Sequence, residues 1–438
     1  FVAIILVVGM LGLITSGGSV SYSTGLHSAV CLVILMGHDS GIFTSAQKIY
    51  NGIDSFALLA IPLFVLAGAI MNQGGIASRL IGLAKAMTGP MPGALAQTNV
   101  LANMLFGAIS GSALAGASAV GAIMAPEEQK DGYDMGFAAA VNVASAPSGM
   151  LIPPSNTTIV YALVSQASVG ALFLAGYIPG ILWGLTCMVL VYFYARKRPE
   201  LKGKGFPKMS EFLVSLWGAL PSLGLIVVVI IGIVGIPGLF SAFFTPTEGA
   251  AVAVLYALVL SFIYRTIGIK DLPRILLSAT RTSSVVIFLI GLSSIMSFAM
   301  TFAGIPDLIG NWLTEFTDSP VVFLAIMMVI LLVIGIPLDA TPAVLIFTPI
   351  FLPIAVQYGI HPVHLGMMMI FNMCIAVISP PSAPVLFVGA RVAGKKVEEV
   401  IGPLMPFFGA LILMLLVIQY VPELSLALPR AAGLIYGA

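Results

Sequence analysis

Long apolar stretches are the feature that most constrains how this chain can fold. About 20 consecutive apolar residues span a lipid bilayer, and the sequence contains about a dozen such stretches. Only 8% of the 438 residues are charged, against about 25% in a soluble globular protein. This composition excludes a soluble enzyme, a nucleic-acid-binding protein and a disordered chain. The strands of a membrane β-barrel would alternate apolar and polar residues, so the expected fold class is an all-α polytopic membrane protein.

The few charged residues are clustered, and their positions predict which side of the membrane each loop faces. Six basic residues lie between 196 and 208, where the apolar stretches pause. Basic loops tend to stay in the cytoplasm, so we expect a cytoplasmic linker at 196–211 between two units at 1–195 and 212–438. The connection at 304–319 carries acidic residues and no Lys or Arg, so it is expected on the opposite side.

The segment at about 94–125 has two apolar halves around a centre rich in Gly, Ser and Ala. Lys85 precedes it and Lys130 follows it, so both of its ends are expected on the cytoplasmic side. The segment is therefore predicted to be a re-entrant hairpin. Non-helical backbone at membrane depth must be buried in protein or line a cavity, and this favours a role for the hairpin tip in binding.

An internal repeat relates the two units. Six residues of the first unit recur in the second at one offset, for example 353 − 126 = 227. The pairs are Pro126 and Pro353, Gly132 and Gly359, Pro153 and Pro380, Pro154 and Pro381, Ser155 and Ser382, and Pro179 and Pro406. The counterpart of the first hairpin, at about 320–357, follows the acidic connection and is expected to open outward. The repeats are thus predicted to be inverted, as in many secondary transporters.

Two apolar stretches, at about 135–167 and about 363–390, are interrupted by prolines. A helix cannot continue through Pro153-Pro154 or Pro380-Pro381, so each stretch is predicted to be two half-helices joined by an unwound link. The freed carbonyls can coordinate Na⁺, and the N-terminus of the next half-helix favours an anion. A proline kink without a binding role is the alternative interpretation.

Asp339 stands in the second hairpin tip, and acids inside the membrane are functional candidates by default. It could bind a cation, carry a proton or cap the returning half-helix. Glu248, in Thr245-Pro-Thr-Glu248, is expected to lie in the first turn of a helix. His361 and His364 are interpreted as solvated loop residues.

Several activities are disfavoured by what the sequence lacks. No Walker A motif is present, which argues against ATP hydrolysis by that route. Gly107-Ala-Ile-Ser110-Gly111 resembles the turn of a serine nucleophile, but no histidine of a membrane span is placed to activate Ser110. An intramembrane hydrolase and a passive channel remain alternatives to a carrier.

Several motifs taken together resemble the large membrane subunit of tripartite ATP-independent periplasmic (TRAP) transporters, over nearly the whole chain. They are Pro62-Leu-Phe-Val-Leu-Ala-Gly68, Phe106-Gly-Ala-Ile-Ser-Gly-Ser112, Gly132-Tyr-Asp followed by Ala138-Ala-Ala-Val141, Ile152-Pro-Pro-Ser155, Gly176-Tyr-Ile-Pro-Gly180, Phe244-Thr-Pro-Thr-Glu248 and Ser379-Pro-Pro-Ser382. The resemblance implies the ion-transporter superfamily fold, in which a scaffold holds a transport domain of two hairpins and two broken helices that moves like an elevator.

The resemblance also implies a function and partners. The chain would be a multi-pass protein of the bacterial inner membrane, not an enzyme, with Na⁺ as the coupling ion and no cofactor. A small four-helix membrane subunit would bind the scaffold, and a periplasmic binding protein would deliver an organic acid. The residues around Asn156, Pro153-Pro-Ser-Asn-Thr-Thr-Ile-Val-Tyr161, are most similar to the sialic acid branch. A C4-dicarboxylate or another carboxylate is the alternative substrate.

Within this resemblance, each sodium site is placed between one hairpin tip and one broken helix, because hard cations prefer oxygen ligands. The first site would use Ser110, Ser112, Ser145, Ser148, Gly149 and Pro153. The second would use Gly335, Asp339, Thr341, Ile378, Pro380 and Ser382. The substrate carboxylate is expected between the tips, in contact with Ser112, Ser155, Asn156, Thr341 and Ser382. No Arg in a membrane span offers a clamp for it, so helix dipoles and bound sodium would supply the positive field.

Overall fold

The computed structural model describes residues 5–435, except 17–18, 199–200, 202, 204, 206, 236–241, 306–307, 310, 312–316, 318, 337 and 381–382. All regular secondary structure in this part of the chain is helical. The helices are α1 Met10–Thr15, α2 Val20–Met36, α3 His38–Ile53, α4 Ala60–Gln73, α5 Ile76–Thr88, α6 Ala94–Ser110, α7 Ala113–Lys130, α8 Met135–Ser145, α9 Ser148–Leu151, α10 Asn156–Ser165, α11 Val169–Arg196, α12 Met209–Val234, α13 Pro246–Ile263, α14 Leu272–Phe302, α15 Pro320–Gly335, α16 Ala340–Gln357, α17 Pro362–Ala376, α18 Pro384–Val392, α19 Val397–Tyr420 and α20 Glu423–Ala431.

Within the described residues, seven helices are long and apolar enough to cross a membrane. They are Phe56–Gln73, Val169–Arg196, Met209–Val234, Pro246–Ile263, Ile269–Phe302, Ala340–Gln357 and Val397–Tyr420. A bent pair, Met135–Leu151 and Asn156–Ser165, would make an eighth span if it crosses as one unit. The expected all-α polytopic fold class is confirmed at this level.

The helices pack in two groups. α14 packs against α2, α3 and α4, α4 also packs against α13, and α12 joins this group through α5 and α13. The second group holds the helices of both predicted hairpins and both predicted breaks, with α11 and α19 packed against them. α4 and α14 meet the second group along α6, α10 and α16. The predicted tips and breaks therefore lie beside the first group and not at the far edge of the molecule.

Helix boundaries in the two halves of the chain keep the offset found in the sequence. α7 and α16 start 340 − 113 = 227 residues apart and end 357 − 130 = 227 residues apart. α8 and α17 start 362 − 135 = 227 residues apart. The repeated prolines therefore mark a repeated order of helices. The proposed unit boundaries and the inverted orientation stay predictions.

The two halves also contact each other reciprocally. α10 packs against α16, and its counterpart α18 packs against α7. The Cys374 thiol donates a 3.6 Å hydrogen bond to the carbonyl oxygen of Pro147, and these residues are equivalent because 374 − 147 = 227. Equivalent residues that touch each other lie close to a two-fold axis. This contact is compatible with the predicted inverted repeat, whose pseudo-two-fold axis would pass between the first break and α17.

Two expectations about polar residues outside the breaks have different outcomes. Glu248 has the predicted position, because its backbone N–H donates to Thr245 Oγ1 and Thr245 N–H donates to Glu248 Oε2, which makes a capping box at the start of α13. The interpretation of His364 as solvated is wrong. His364 is 3% exposed, because it lies in the first turn of α17, against which α19 and α20 pack. His361 is half-buried and caps α17.

Candidate functional site

A cavity of about 160 Å³ lies where both hairpin tips meet the broken helices. Its polar lining residues are Ser112, Asn156, Thr157, Thr282, Asp339 and Thr341. Ile61 and Val65 of α4 and Val286 of α14 close it from the first helix group. Four of the residues predicted to hold substrate or sodium, namely Ser112, Asn156, Asp339 and Thr341, are thus brought together from distant parts of the chain.

The first tip is a tight turn between α6 and α7. Gly111 adopts a left-handed conformation with φ of 62°, which a glycine allows without steric cost. A Cβ atom on Gly111 would lie 2.9 Å from the carbonyl oxygen of Pro154. Ser112 follows and caps α7, its Oγ accepting a 3.4 Å hydrogen bond from the Ala115 N–H. The tip therefore rests directly on the unwound link of the first broken helix.

The first break lies between α9 and α10. The helical axis turns by 42° between Met135–Leu151 and Asn156–Ser165. Ser155 is buried and caps α10: its Oγ donates to the Met150 carbonyl oxygen at 2.5 Å and accepts from the Thr158 N–H at 3.4 Å. The Ser155 hydroxyl is therefore used inside the break, and it is Asn156 that faces the cavity.

The second tip contributes a carboxylate. Asp339 caps α16, where its Oδ1 accepts a 2.9 Å hydrogen bond from the Ala340 N–H. Its side chain remains exposed to the cavity, and Thr341 is half-buried beside it. The helix cap uses one carboxylate oxygen of Asp339. Because the side chain is exposed, the carboxylate remains available to a ligand in the cavity.

Three helices begin at this cavity: α7 after Ser112, α10 after Ser155 and α16 after Asp339. The N-terminus of a helix carries unpaired N–H groups and a partial positive charge, so it favours anions. No Lys, Arg or His of the described chain lines the cavity. Converging helix N-termini are therefore the main fixed source of positive potential in it.

The predicted ligands of the first sodium site lie along the junction between the first tip and the first break. The hydroxyls of Ser145 and Ser148 donate to the carbonyl oxygens of Val141 and Ser145 at 2.8 and 2.7 Å. Ser110 is different, because its Oγ is buried and has no hydrogen-bond partner among the residues that the structure describes. A buried oxygen of this kind is the ligand type that a hard cation prefers, so Ser110 is the one of these three serines whose hydroxyl is free for Na⁺ among the described residues.

Gly149 and Pro153 are also placed at this junction. Gly149 packs against Gly107 of α6 so closely that a Cβ on either would overlap the other's backbone. Pro153 lies within the unwound link, in a cis peptide bond with Pro154. Neither is a side-chain ligand, so their contribution would come from backbone oxygens.

The predicted second sodium site is gathered less completely. Asp339 and Thr341 line the cavity, whereas Gly335 packs against Ala376 and Met373 of α17. Ile378 is buried between α17 and α18, and Pro380 follows it at the second break. Ser382, which was predicted to contact both sodium and substrate, lies outside the described residues.

A buried amide cluster beside the first break was missed by the sequence analysis. Asn103 Nδ2 lies 2.9 Å from Asn99 Oδ1, 3.0 Å from Asn142 Oδ1 and 2.9 Å from Ser145 Oγ. Asn142 Nδ2 in turn donates to the Ala117 carbonyl oxygen at 2.8 Å. The available signal was Asn99 and Asn103, four residues apart and hence on one face of α6.

Comparison with known proteins matches residues 7–424 to the family described as tripartite ATP-independent periplasmic transporter, DctM component. The chain is 48% identical to the uncharacterized protein YgiK of Salmonella typhimurium, over 97% of both chains. It is 39% identical to the C4-dicarboxylate TRAP transporter large permease protein DctM of Pseudomonas aeruginosa, over 94% of this chain and 95% of the other. It is 36% identical to the sialic acid TRAP transporter large permease protein SiaM of Vibrio cholerae, over 96% and 97%.

Among solved structures, the chain resembles the Alcanivorax borkumensis YdaH transporter. The TM-score is 0.66 at 15% sequence identity, and the match covers 94% of this chain and 97% of the other. At this identity the likeness concerns the fold alone, which is that of a polytopic membrane transporter.

Proposed function

The chain belongs to the DctM component family of TRAP transporters, and from this premise we propose that it takes up an organic acid using a sodium gradient. Members of the family are transport permeases and not enzymes, so the hydrolase alternative is dropped. The family implies a small membrane subunit and a substrate-binding protein as partners. We propose that the chain works with both in the bacterial inner membrane and that its second helix group moves as an elevator.

The observation that best supports anion transport is the cavity at the two tips. Three helix N-termini lie at it, no basic side chain of the described residues lines it, and Asp339 adds a negative charge. An organic anion alone would be held weakly here, because Asp339 opposes it. A sodium ion bound with the anion offsets one of the two negative charges and removes much of their repulsion, so this lining favours co-transport of sodium with the acid over transport of the acid alone.

Two observations bear on which acid is carried. The Asn156 motif favours sialic acid, and one curated relative is a sialic acid permease. The cavity volume of about 160 Å³ is smaller than the roughly 300–1,000 Å³ typical of pockets for drug-sized ligands, which favours a compact acid such as a C4-dicarboxylate. Sialic acid is our first candidate, and a C4-dicarboxylate is the second.

Uptake by proteoliposomes tests the transport function. The chain, reconstituted with its small subunit and binding protein, is expected to accumulate either labelled N-acetylneuraminate or labelled succinate when sodium is high outside. Equal sodium on both sides should abolish accumulation but still permit exchange of labelled for unlabelled substrate. Accumulation that is indifferent to the sodium gradient would refute the proposed coupling, and flux without exchange would indicate a channel.

Ser110 provides a direct test of the first sodium site. Because its buried hydroxyl has no partner in the described part of the chain, the substitution Ser110→Ala removes a candidate sodium ligand without leaving a described donor or acceptor unpaired. We expect the sodium concentration for half-maximal uptake to rise about tenfold or more, because an interaction with a charged group contributes about 1.5–3 kcal/mol. Ser118→Ala is the matched control, because Ser118 donates to its own helix at the Ala115 carbonyl oxygen. Equal sodium dependence in the two variants would remove Ser110 from the site.

A further inference from the structure

A buried carboxyl lies outside the cavity, near the C-terminal end of α7. Glu128 is 1% exposed, and its Oε1 accepts a 3.2 Å hydrogen bond from Asn99 Nδ2. Its neighbour Glu127 is half-exposed and pairs with Lys85 at 2.5 Å. Within the described chain, Glu128 itself forms no ion pair. An acid so deeply buried without a cation is strongly disfavoured in its charged form.

Among the described residues, no positively charged side chain lines the space around Glu128 and could compensate the charge of its carboxylate. It lines a small cavity together with Asn99 of α6, Ala138, Ala139 and Asn142 of α8, and residues of α18. No other titratable side chain of the described residues lines this cavity. The titratable groups on and around the elements packed against it are Arg79, Lys85, Glu127, Lys130, Asp131, Tyr133, Asp134, Arg391, Lys395 and Lys396. The carboxyl therefore faces amides and apolar groups only.

Hydrogen bonds connect Glu128 to the first break. Asn99, which donates to Glu128, accepts through Oδ1 from Asn103 Nδ2 at 2.9 Å. Asn103 Nδ2 also lies 2.9 Å from Ser145 Oγ, a predicted sodium ligand. Asn103 Oδ1 is buried and has no partner among the described residues, so a cation near Ser145 would attract it and reorient the amide. A chain of hydrogen bonds thus connects the arms of the first hairpin, α6 and α7, with α8 of the first broken helix.

We propose that Glu128 is a proton-binding site linked to the sodium site at the first break, an inference that rests on the proposed sodium coupling. Without sodium, Glu128 holds a proton and is a neutral carboxylic acid. When sodium binds, its positive charge favours the carboxylate, the O–H bond of the carboxyl breaks, and the proton leaves to solvent. By linkage, protons then oppose sodium binding to the same extent that sodium expels protons.

Proton release on sodium binding tests this link. Purified transporter with its small subunit, in weakly buffered solution with a pH dye, should release protons on addition of sodium chloride and none with choline chloride. Glu128→Gln should abolish the release, while Glu127→Gln, which changes the adjacent ion-paired acid, should retain it. Equal release from the wild type and Glu128→Gln would overturn the proposal, as would no release from the wild type.

Sodium-dependent thermal stabilisation, measured on the same samples, separates this inference from the proposed function. If sodium fails to stabilise the wild type, the sodium site itself is wrong. If sodium stabilises it without proton release, only the role of Glu128 is wrong. If the Glu128→Gln variant fails to fold, the pH dependence of sodium stabilisation in the wild type still tests the proposal. Its midpoint sodium concentration should fall with rising pH, by up to about tenfold per pH unit for one linked proton, and a pH-independent midpoint would contradict the link.

Discussion

Substitution of Gly111 by alanine is expected to reduce uptake about tenfold or more, whereas the same substitution at Gly132 should leave uptake nearly unchanged. Both glycines have positive φ, 62° and 79°, so alanine costs about 1–2 kcal/mol of backbone strain at either position. Only at Gly111 would the added Cβ meet a backbone atom, the Pro154 carbonyl oxygen at 2.9 Å, while at Gly132 nothing lies within 4 Å. Gly132→Ala is therefore a matched control for strain.

The reason for a functional effect is that Pro154 belongs to the unwound link. Overpacking by one methyl group costs about 1–3 kcal/mol, and relief of this contact requires the first tip to move away from the first break. Such a shift would enlarge the cavity and separate the proposed sodium ligands. Initial uptake rates at equal amounts of reconstituted protein would measure the effect on transport, and melting temperatures would measure the effect on stability. Similar rates for the two variants would show that the contact of tip and link is not needed for transport.

Asp339→Asn is expected to raise the sodium concentration for half-maximal uptake about tenfold or more. At an effective dielectric of about 20, two unit charges about 4 Å apart interact with about 4 kcal/mol, so even partial loss of this attraction exceeds the 1.4 kcal/mol that corresponds to tenfold. Asparagine caps a helix about as well as aspartate, so α16 should keep its cap. The substitution therefore separates the charge of Asp339 from its capping role.

A sodium titration of uptake distinguishes the two roles of Asp339. Asp39→Asn is the control, because Asp39 is fully exposed and its one ion pair within the described residues is with its neighbour His38 at 3.0 Å. If Asp339→Asn matches that control while Asp339→Ala lowers the melting temperature, Asp339 is a cap and no more. If both Asp339 variants lose sodium dependence, the carboxylate belongs to the ion site.

The parts of this structure that follow from local chemistry could be predicted from the sequence. Prolines that cannot continue a helix located the first break, and a turn of small residues located the first tip at Gly111-Ser112. The end of the hairpin's second arm was less well placed, because α7 continues through Pro126 to Lys130, past the predicted limit of about 125. A proline ends a helix only where the lost hydrogen bond and the ring clash are not absorbed by packing.

Features that depend on which helices pack together could not be predicted. Asn142 and Ser145 contact Asn103 across about forty residues of sequence, and nothing in either segment alone indicates the partner. Glu128 belongs to a charged run from Glu127 to Asp131, which suggests solvent exposure, yet α6, α8 and α18 bury it. The burial of His364 has the same origin, since the helices that pack against it come later in the chain.

The reciprocal packing of α10 on α16 and of α18 on α7 has a mechanical consequence. In each half of the chain, a hairpin arm packs against a half-helix of the other half. A displacement of either hairpin arm would therefore strain the half-helix that it contacts. Independent movement of the two tips is therefore expected to cost free energy. The four packed helices α7, α10, α16 and α18 should move together as one rigid body. Relative movement is instead expected at the interface of these helices with α4 and α14. Substitutions at this interface should change the transport rate more than the affinity for substrate.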